Sequence, residues 1–74
     1  MNKTRRLALQ ALKDQLEDIK SSLEDLQSEE EEYRDGIPEN MQDKYEKAED
    51  AISNMEDAVS SLEEAISSIE SAAE

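Results

Sequence analysis

The stretch from Ala51 to Ser71 is one heptad written three times, as Ala-Ile-Ser-Asn-Met-Glu-Asp, Ala-Val-Ser-Ser-Leu-Glu-Glu and Ala-Ile-Ser-Ser-Ile-Glu-Ser. A seven-residue repeat with large apolar residues at two of its places winds a helix so that one narrow stripe always meets a partner helix. The chain is therefore built to pair helices. Extended in both directions, the stripe reads Met41, Tyr45, Ala48, Ile52, Met55, Val59, Leu62, Ile66, Ile69, Ala73, with no polar interruption.

A second seam precedes it. Leu9, Leu12, Leu16, Ile19, Leu23, Leu26 and Tyr33 alternate at steps of three and four, with Glu30 in the one vacant place. In heptad letters, Leu9, Leu16, Leu23 and Glu30 take a, and Leu12, Ile19, Leu26 and Tyr33 take d. Asn2 or Thr4 can cap this helix. No Gly or Pro occurs before Gly36, which suits the left-handed residue closing a helix, and Pro38 suits the first turn of the next. Asn40, with Asp43 three residues on, offers a slightly later start. The expected fold is all-α: helix 1 over about 4–34, a turn at 35–37, and helix 2 over about 38–73.

So short a turn makes the two helices antiparallel, as a coiled-coil hairpin in one domain over 1–74. Setting Tyr33 level with Tyr45 aligns Leu26 with Ile52, Leu16 with Leu62 and Leu9 with Ile69, the numbers of each pair summing to 78. The e positions then test this register, since they face one another in an antiparallel pair. Helix 1 carries Arg6, Lys13, Lys20, Gln27 and Arg34 there, and helix 2 carries Glu49, Glu56, Glu63 and Glu70. The expected ion pairs are Arg6–Glu70, Lys13–Glu63 and Lys20–Glu56. Each exposed pair is worth about 0.2–1 kcal/mol, so together they select register more than they stabilise.

At the g positions of helix 2 stand Ala51, Ala58, Ala65 and Ala72, opposite Ala8, Gln15, Ser22 and Glu29. These alanines leave a groove and widen the apolar stripe enough to admit further helices, although helix propensity alone also favours alanine. The chain has 74 residues, 35% of them apolar, with two Tyr and no Phe or Trp. One core of that size gives roughly 3–5 kcal/mol. There is no Cys and no His for a disulfide or metal staple, so the expected source of further stability is a homodimer, two hairpins forming a four-helix bundle. An elongated end-to-end dimer and a swapped pair of straight helices are the other topologies open to this sequence.

Chemistry finds little to work with. An enzyme needs a nucleophile, a tunable acid or base, or a metal site, and without His or Cys the expectation is no catalysis, no cofactor and no metal. Glu31-Glu32-Tyr33-Arg34-Asp35-Gly36 has the glycine of a calcium loop in sixth place, but Tyr33 stands at the third ligand position and Gln42 where a bidentate Glu is required. Glu30, the one carboxylate in a seam, reads as a wet layer near the hairpin end or as part of a partner site. Serines 53, 60, 61, 67 and 68 form a neutral strip that the sequence leaves without a role.

Charge carries more information. The net charge is −13, from 21 acidic and 8 basic side chains, which repels nucleic acid and anionic membrane and points to a protein partner with a basic surface. No apolar run is long enough for a signal peptide or a membrane span, so the expected location is cytoplasmic. Glu17, Asp18, Glu24, Asp25, Glu31 and Glu32 line the b and c positions of helix 1, with Asp43, Asp50, Asp57 and Glu64 at f on helix 2. Rows of carboxylates on a rigid rod either keep it soluble or imitate duplex DNA for a basic cleft. Two placements run against the helix dipole: Lys3, Arg5 and Arg6 at the start of helix 1 and Glu29 to Glu32 at its end.

The turn Ile37-Pro38-Glu39-Asn40-Met41-Gln42, the run Tyr45-Glu46-Lys47-Ala48-Glu49-Asp50-Ala51, the segment Leu62-Glu63-Glu64-Ala65 and the basic opening Asn2-Lys3-Thr4-Arg5-Arg6 resemble short acidic hairpin proteins of phages and prophages of Gram-positive bacteria. The resemblance implies an accessory protein of a mobile element, working in the bacterial host's cytoplasm, and brings no catalytic residues with it. Together these features lead to the expectation of a non-enzymatic protein-binding module, in its sharper form a phage inhibitor that occupies a host defence or nucleic-acid-binding protein by charge mimicry. The alternative is a structural bundle whose only partner is itself.

Overall fold

The computed structural model describes residues 1–74 as two long helices and no strand, α1 (Lys3–Asp35) and α2 (Gln42–Ala72). They form a helical hairpin 59 Å long and only 14 by 11 Å across between Cα atoms. Neither helix is long and apolar enough to cross a membrane. Asn2 caps α1 from an extended backbone, its Oδ1 accepting from the Arg5 N–H at 2.8 Å.

The turn differs from expectation in its chemistry and its length. Gly36 has φ −90° and ψ −2°, right-handed rather than left-handed. Its N–H donates to the carbonyls of Glu32 and Tyr33, and the Ile37 N–H donates to Arg34 at 3.1 Å, so the last turn tightens instead of reversing hand. Pro38 supplies the stop: it has no N–H to continue the ladder, and it drives Ile37 out of helical geometry. A tight turn follows, with the Met41 N–H donating to the Pro38 carbonyl at 3.0 Å. α2 therefore starts at Gln42, four residues beyond the expected position, with Met41 as an N-cap whose side chain makes no capping bond. The expected Asn40–Asp43 cap is not used.

Only Ala48, Ile52 and Ile66 are buried, all on α2. α2 otherwise turns its a and d rows inward as expected, with Met55, Val59, Leu62 and Ile69 half-buried and only Met41 and Tyr45 open near the turn. On α1 the expectation of an a/d seam fails. The residues withdrawn from solvent are Leu9, Lys13, Leu16, Lys20, Leu23, Gln27, Glu30 and Arg34, the a and e positions, together with Glu31. The d row faces out: Leu12 is 51% exposed, and Ile19, Leu26 and Tyr33 are each 54% exposed.

The ion pairs go with this rotation. Lys13 Nζ lies 3.5 Å from Glu70, Lys20 Nζ 3.3 Å from Glu63, and Arg34 Nη1 3.3 Å from Glu49. Lys13 and Lys20 each reach one heptad farther along α2 than expected, and Arg6–Glu70, Lys13–Glu63 and Lys20–Glu56 do not form. Helical side chains lean toward their own N-terminus. In the register summing to 78, Lys13 is level with Ala65. From there Lys13 and Glu70 lean toward each other, whereas Lys13 and Glu63 lean apart. The helix ends at the turn, Asp35 and Gln42, sum to 77, and those at the open end, Lys3 and Ala72, sum to 75. The side chains of Lys13, Lys20 and Arg34 are only 23–29% exposed, as stems lying along the seam with their charged heads at its rim would be.

Candidate interaction surfaces

The hairpin presents three distinct surfaces. One edge is the ladder of e-position ion pairs. It ends near the turn in a cluster where Arg34 donates from Nε to Asp35 Oδ1 at 3.1 Å and from Nη1 to Glu49 Oε1 at 3.3 Å. The hydrogen bond to Asp35, followed by the charges of Glu49 and Asp35, holds the Arg34 guanidinium above its ordinary pKa against the opposing effect of desolvation. Glu49, first as an acceptor for the phenol and then as a negative charge, raises the Tyr45 pKa one helical turn away.

At the open end, Arg6 takes a different role from the expected pair with Glu70. Its Nε donates to the Ala73 carbonyl at 2.9 Å and its Nη2 to the Met1 carbonyl at 3.2 Å. A cation on the last carbonyls of α2 satisfies the negative end of that helix. This resolves part of one of the two placements that run against the α1 dipole: Arg6 is at the wrong end of its own helix and at the right end of its neighbour. Glu29 to Glu32 have no such answer within the chain. Gln27 Nε2 donates to Glu31 Oε1 at 3.1 Å, and none of the four makes an ion pair.

The second surface is acidic. Glu17, Asp18, Glu24, Asp25 and Glu32 are exposed, and Glu31 is half-buried beside Gln27. Only Glu49, Glu63, Glu70 and Asp35 engage a cation within 4 Å, leaving 17 of the 21 carboxylates without one. Glu30 is half-buried and unpaired at the a position. No group of three or more acidic side chains is arranged to hold a metal ion.

The third surface is apolar. Positions repeat every 100° or so around a helix, so with a and e turned to α2, the d row stands roughly 80° from that direction, on a broad face of the hairpin. The g alanines of α2 belong to the same face, on the side away from the ion pairs. Ala51 and Ala65 are half-buried, and Ala58 and Ala72 are exposed. A shallow open trough of about 360 Å³, lined by Asp18, Ile19, Ser22, Leu23 and Leu26, marks the middle of the d row. A similar hollow of about 350 Å³ lies at the turn among Tyr33, Ile37, Pro38, Met41 and their neighbours. Sequence reasoning placed the d row in the core and so missed it as a surface. The available signal was the long aliphatic stem of Lys or Arg at four of the five e positions of α1, which lets e take the place of d.

No protein family, curated protein or solved structure matches the chain.

Proposed function

We propose that this chain is a non-enzymatic protein–protein interaction module whose acidic faces bind the basic surface of another protein, in place of the duplex DNA that surface otherwise takes. The observation that carries this reading is charge density. Residues 21–57, the half of the hairpin nearest the turn, hold fourteen carboxylates and three bases. On the order of 27 Å of helix accommodates them, one net negative charge per roughly 2.5 Å. Duplex DNA carries one charge per roughly 1.7 Å. The rod shape and the unpaired state of most of these groups support the same reading, as does the resemblance to accessory proteins of phages, and the proposed place of action is the cytoplasm of a bacterial host.

Capture from lysate of a Gram-positive host, at low and at moderate salt and with duplex DNA as competitor, tests it. The expected result is a basic nucleic-acid-binding protein retained at low salt, released as salt rises and displaced by DNA. Changing Glu17, Asp18, Glu24 and Asp25 together to their amides abolishes that capture if the reading holds; undiminished capture overturns it. A second element of the proposal is self-pairing as a homodimer. The outward d row favours it, and a chain whose only partner is itself would show self-pairing with no basic protein bound.

A further inference from the structure

We infer that two copies pair through the broad apolar face, turned end over end so that α1 of one lies antiparallel on α1 of the other. This rests on the self-pairing proposed above and specifies its face and direction. Leu12, Ile19, Leu26 and Tyr33 repeat every seven residues and are each about half exposed in one hairpin, the pattern of a second coiled-coil seam beside the first. The second copy suits the area. A face 59 by 14 Å covers about 800 Å², which is what each partner of a standard stable interface contributes. A helix that packs against two neighbours at once divides its apolar rows between them, and α1 does so once its a row, flanked by the stems of Lys13, Lys20 and Arg34, serves α2 and its d row serves the other copy.

Two arrangements bring these faces together. A twofold axis along the rod stacks turn on turn and sets α1 against the other copy's α2. A twofold axis across the rod stacks turn on open end and sets α1 against α1. Charge decides between them. Residues 21–57 carry a net −11, whereas residues 1–20 with 58–74 carry a net −2. The first arrangement lays −11 on −11. The second lays −11 on −2 and brings Lys3 and Arg5 of each copy to the acidic turn end of the other. The Glu29-to-Glu32 run, unpaired within the chain, thereby gains nearby bases, and like-charge juxtaposition is avoided. With the d rows in full overlap, Leu12 lies level with Tyr33 of the second copy and Ile19 with Leu26, and Ser22 falls at the midpoint beside its own counterpart.

The chain has no cysteine, so single cysteines report this geometry. Ser22→Cys is expected to form an intermolecular disulfide under mild oxidation, while Ser21→Cys, on the outer f position, stays unlinked. In the turn-on-turn arrangement the two Ser22 positions lie diagonally across the bundle, beyond the roughly 7 Å Cα separation that a disulfide spans. Light scattering on the unmodified chain is expected to give twice the chain mass. The double change Ile19→Ser with Leu26→Ser, at positions already half exposed in one hairpin, is expected to return it to a single mass with helical circular dichroism retained. Dimeric mass with Ser22→Cys unlinked, or linked no faster than Ser21→Cys, overturns the direction and leaves self-pairing standing. Dimeric mass unaltered by the double serine change overturns the face. Single-chain mass for the unmodified protein overturns both.

Discussion

Ile52 is the best-buried large side chain in the hairpin, 4% exposed on the α2 face that meets α1. Replacing it with alanine removes three carbons, a transfer loss of roughly 2.4 kcal/mol at about 0.8 kcal/mol per buried CH₂. A cavity adds to that loss only where the surroundings hold their shape; Ile→Ala changes in rigid cores reach about 5 kcal/mol. Most neighbouring positions of this thin core are half-buried, so the gap collapses or hydrates and the total stays near 2–3 kcal/mol. For a chain of this size each kcal/mol moves the melting temperature by roughly 4–8 °C, which sets the expected loss at about 10–20 °C. The assay is thermal unfolding followed by circular dichroism at several protein concentrations, with Ile19→Ala run beside it. Ile19 is 54% exposed, so its truncation costs less than half as much in dilute solution, and its cost grows with concentration as pairing covers it. Equal losses for the two variants at the lowest concentration would refute the assignment of Ile52 to the core and Ile19 to the surface.

Gly36→Ala is expected to stabilise the hairpin by about 0.4–1 kcal/mol in urea unfolding, because its backbone is right-handed and a Cβ there meets only the Glu32 and Tyr33 carbonyls at 3.7 Å. Asn2→Ala removes the acceptor for the Arg5 N–H and is expected to cost on the order of 1 kcal/mol, read by the same assay. The fold holds the Tyr45 phenol proton more tightly than the unfolded chain does. That contribution is complete below about pH 10, the unfolded value, and is lost as pH rises through the folded value. Melting temperature is therefore expected to fall above pH 10, and Tyr45→Phe to remove part of that fall.

The two helices, their antiparallel return and the inward stripe of α2 were all legible in the heptads, since periodicity depends on residue type alone. Which face α1 turns to α2 was not. Leu12 and Leu9 are the same residue on adjacent rows, and sequence ranks them equally. In the structure Lys13, Lys20 and Arg34 lie inward at e with their carboxylate partners, and the backward lean of helical side chains favours partners one heptad beyond those expected. The turn misled for a related reason. Gly36 and Pro38 each fit a familiar role at a helix boundary, but Pro38 alone ends α1, which frees Gly36 from any left-handed requirement and moves the start of α2 to Gln42. The acidic rows were legible as exposed surface, and the g alanines as a widened stripe; that the alanines share a face with the d row of α1 required the rotation of α1 to be known.

The two proposed surfaces make a joint demand. On α1 the b and c rows each stand about 130° from the midpoint between the a and d rows, so a second copy on the d row leaves Glu17, Glu24, Asp25 and Glu32 facing outward, with Asp18 at the rim of the paired face. An end-over-end pair then displays two such rows running in opposite directions along neighbouring α1 helices, as a duplex displays two antiparallel rows of phosphates. A basic cleft that engages both rows binds one rigid object at two places, and the second engagement is intramolecular, which raises affinity by roughly 10²–10⁴ over a single row. The Ile19→Ser, Leu26→Ser variant keeps every carboxylate and separates the rows. It is expected to bind the captured partner at least a hundredfold more weakly in calorimetry while remaining helical, whereas affinity equal to that of the unmodified chain would mean that one hairpin carries the whole acidic site and that pairing serves stability alone.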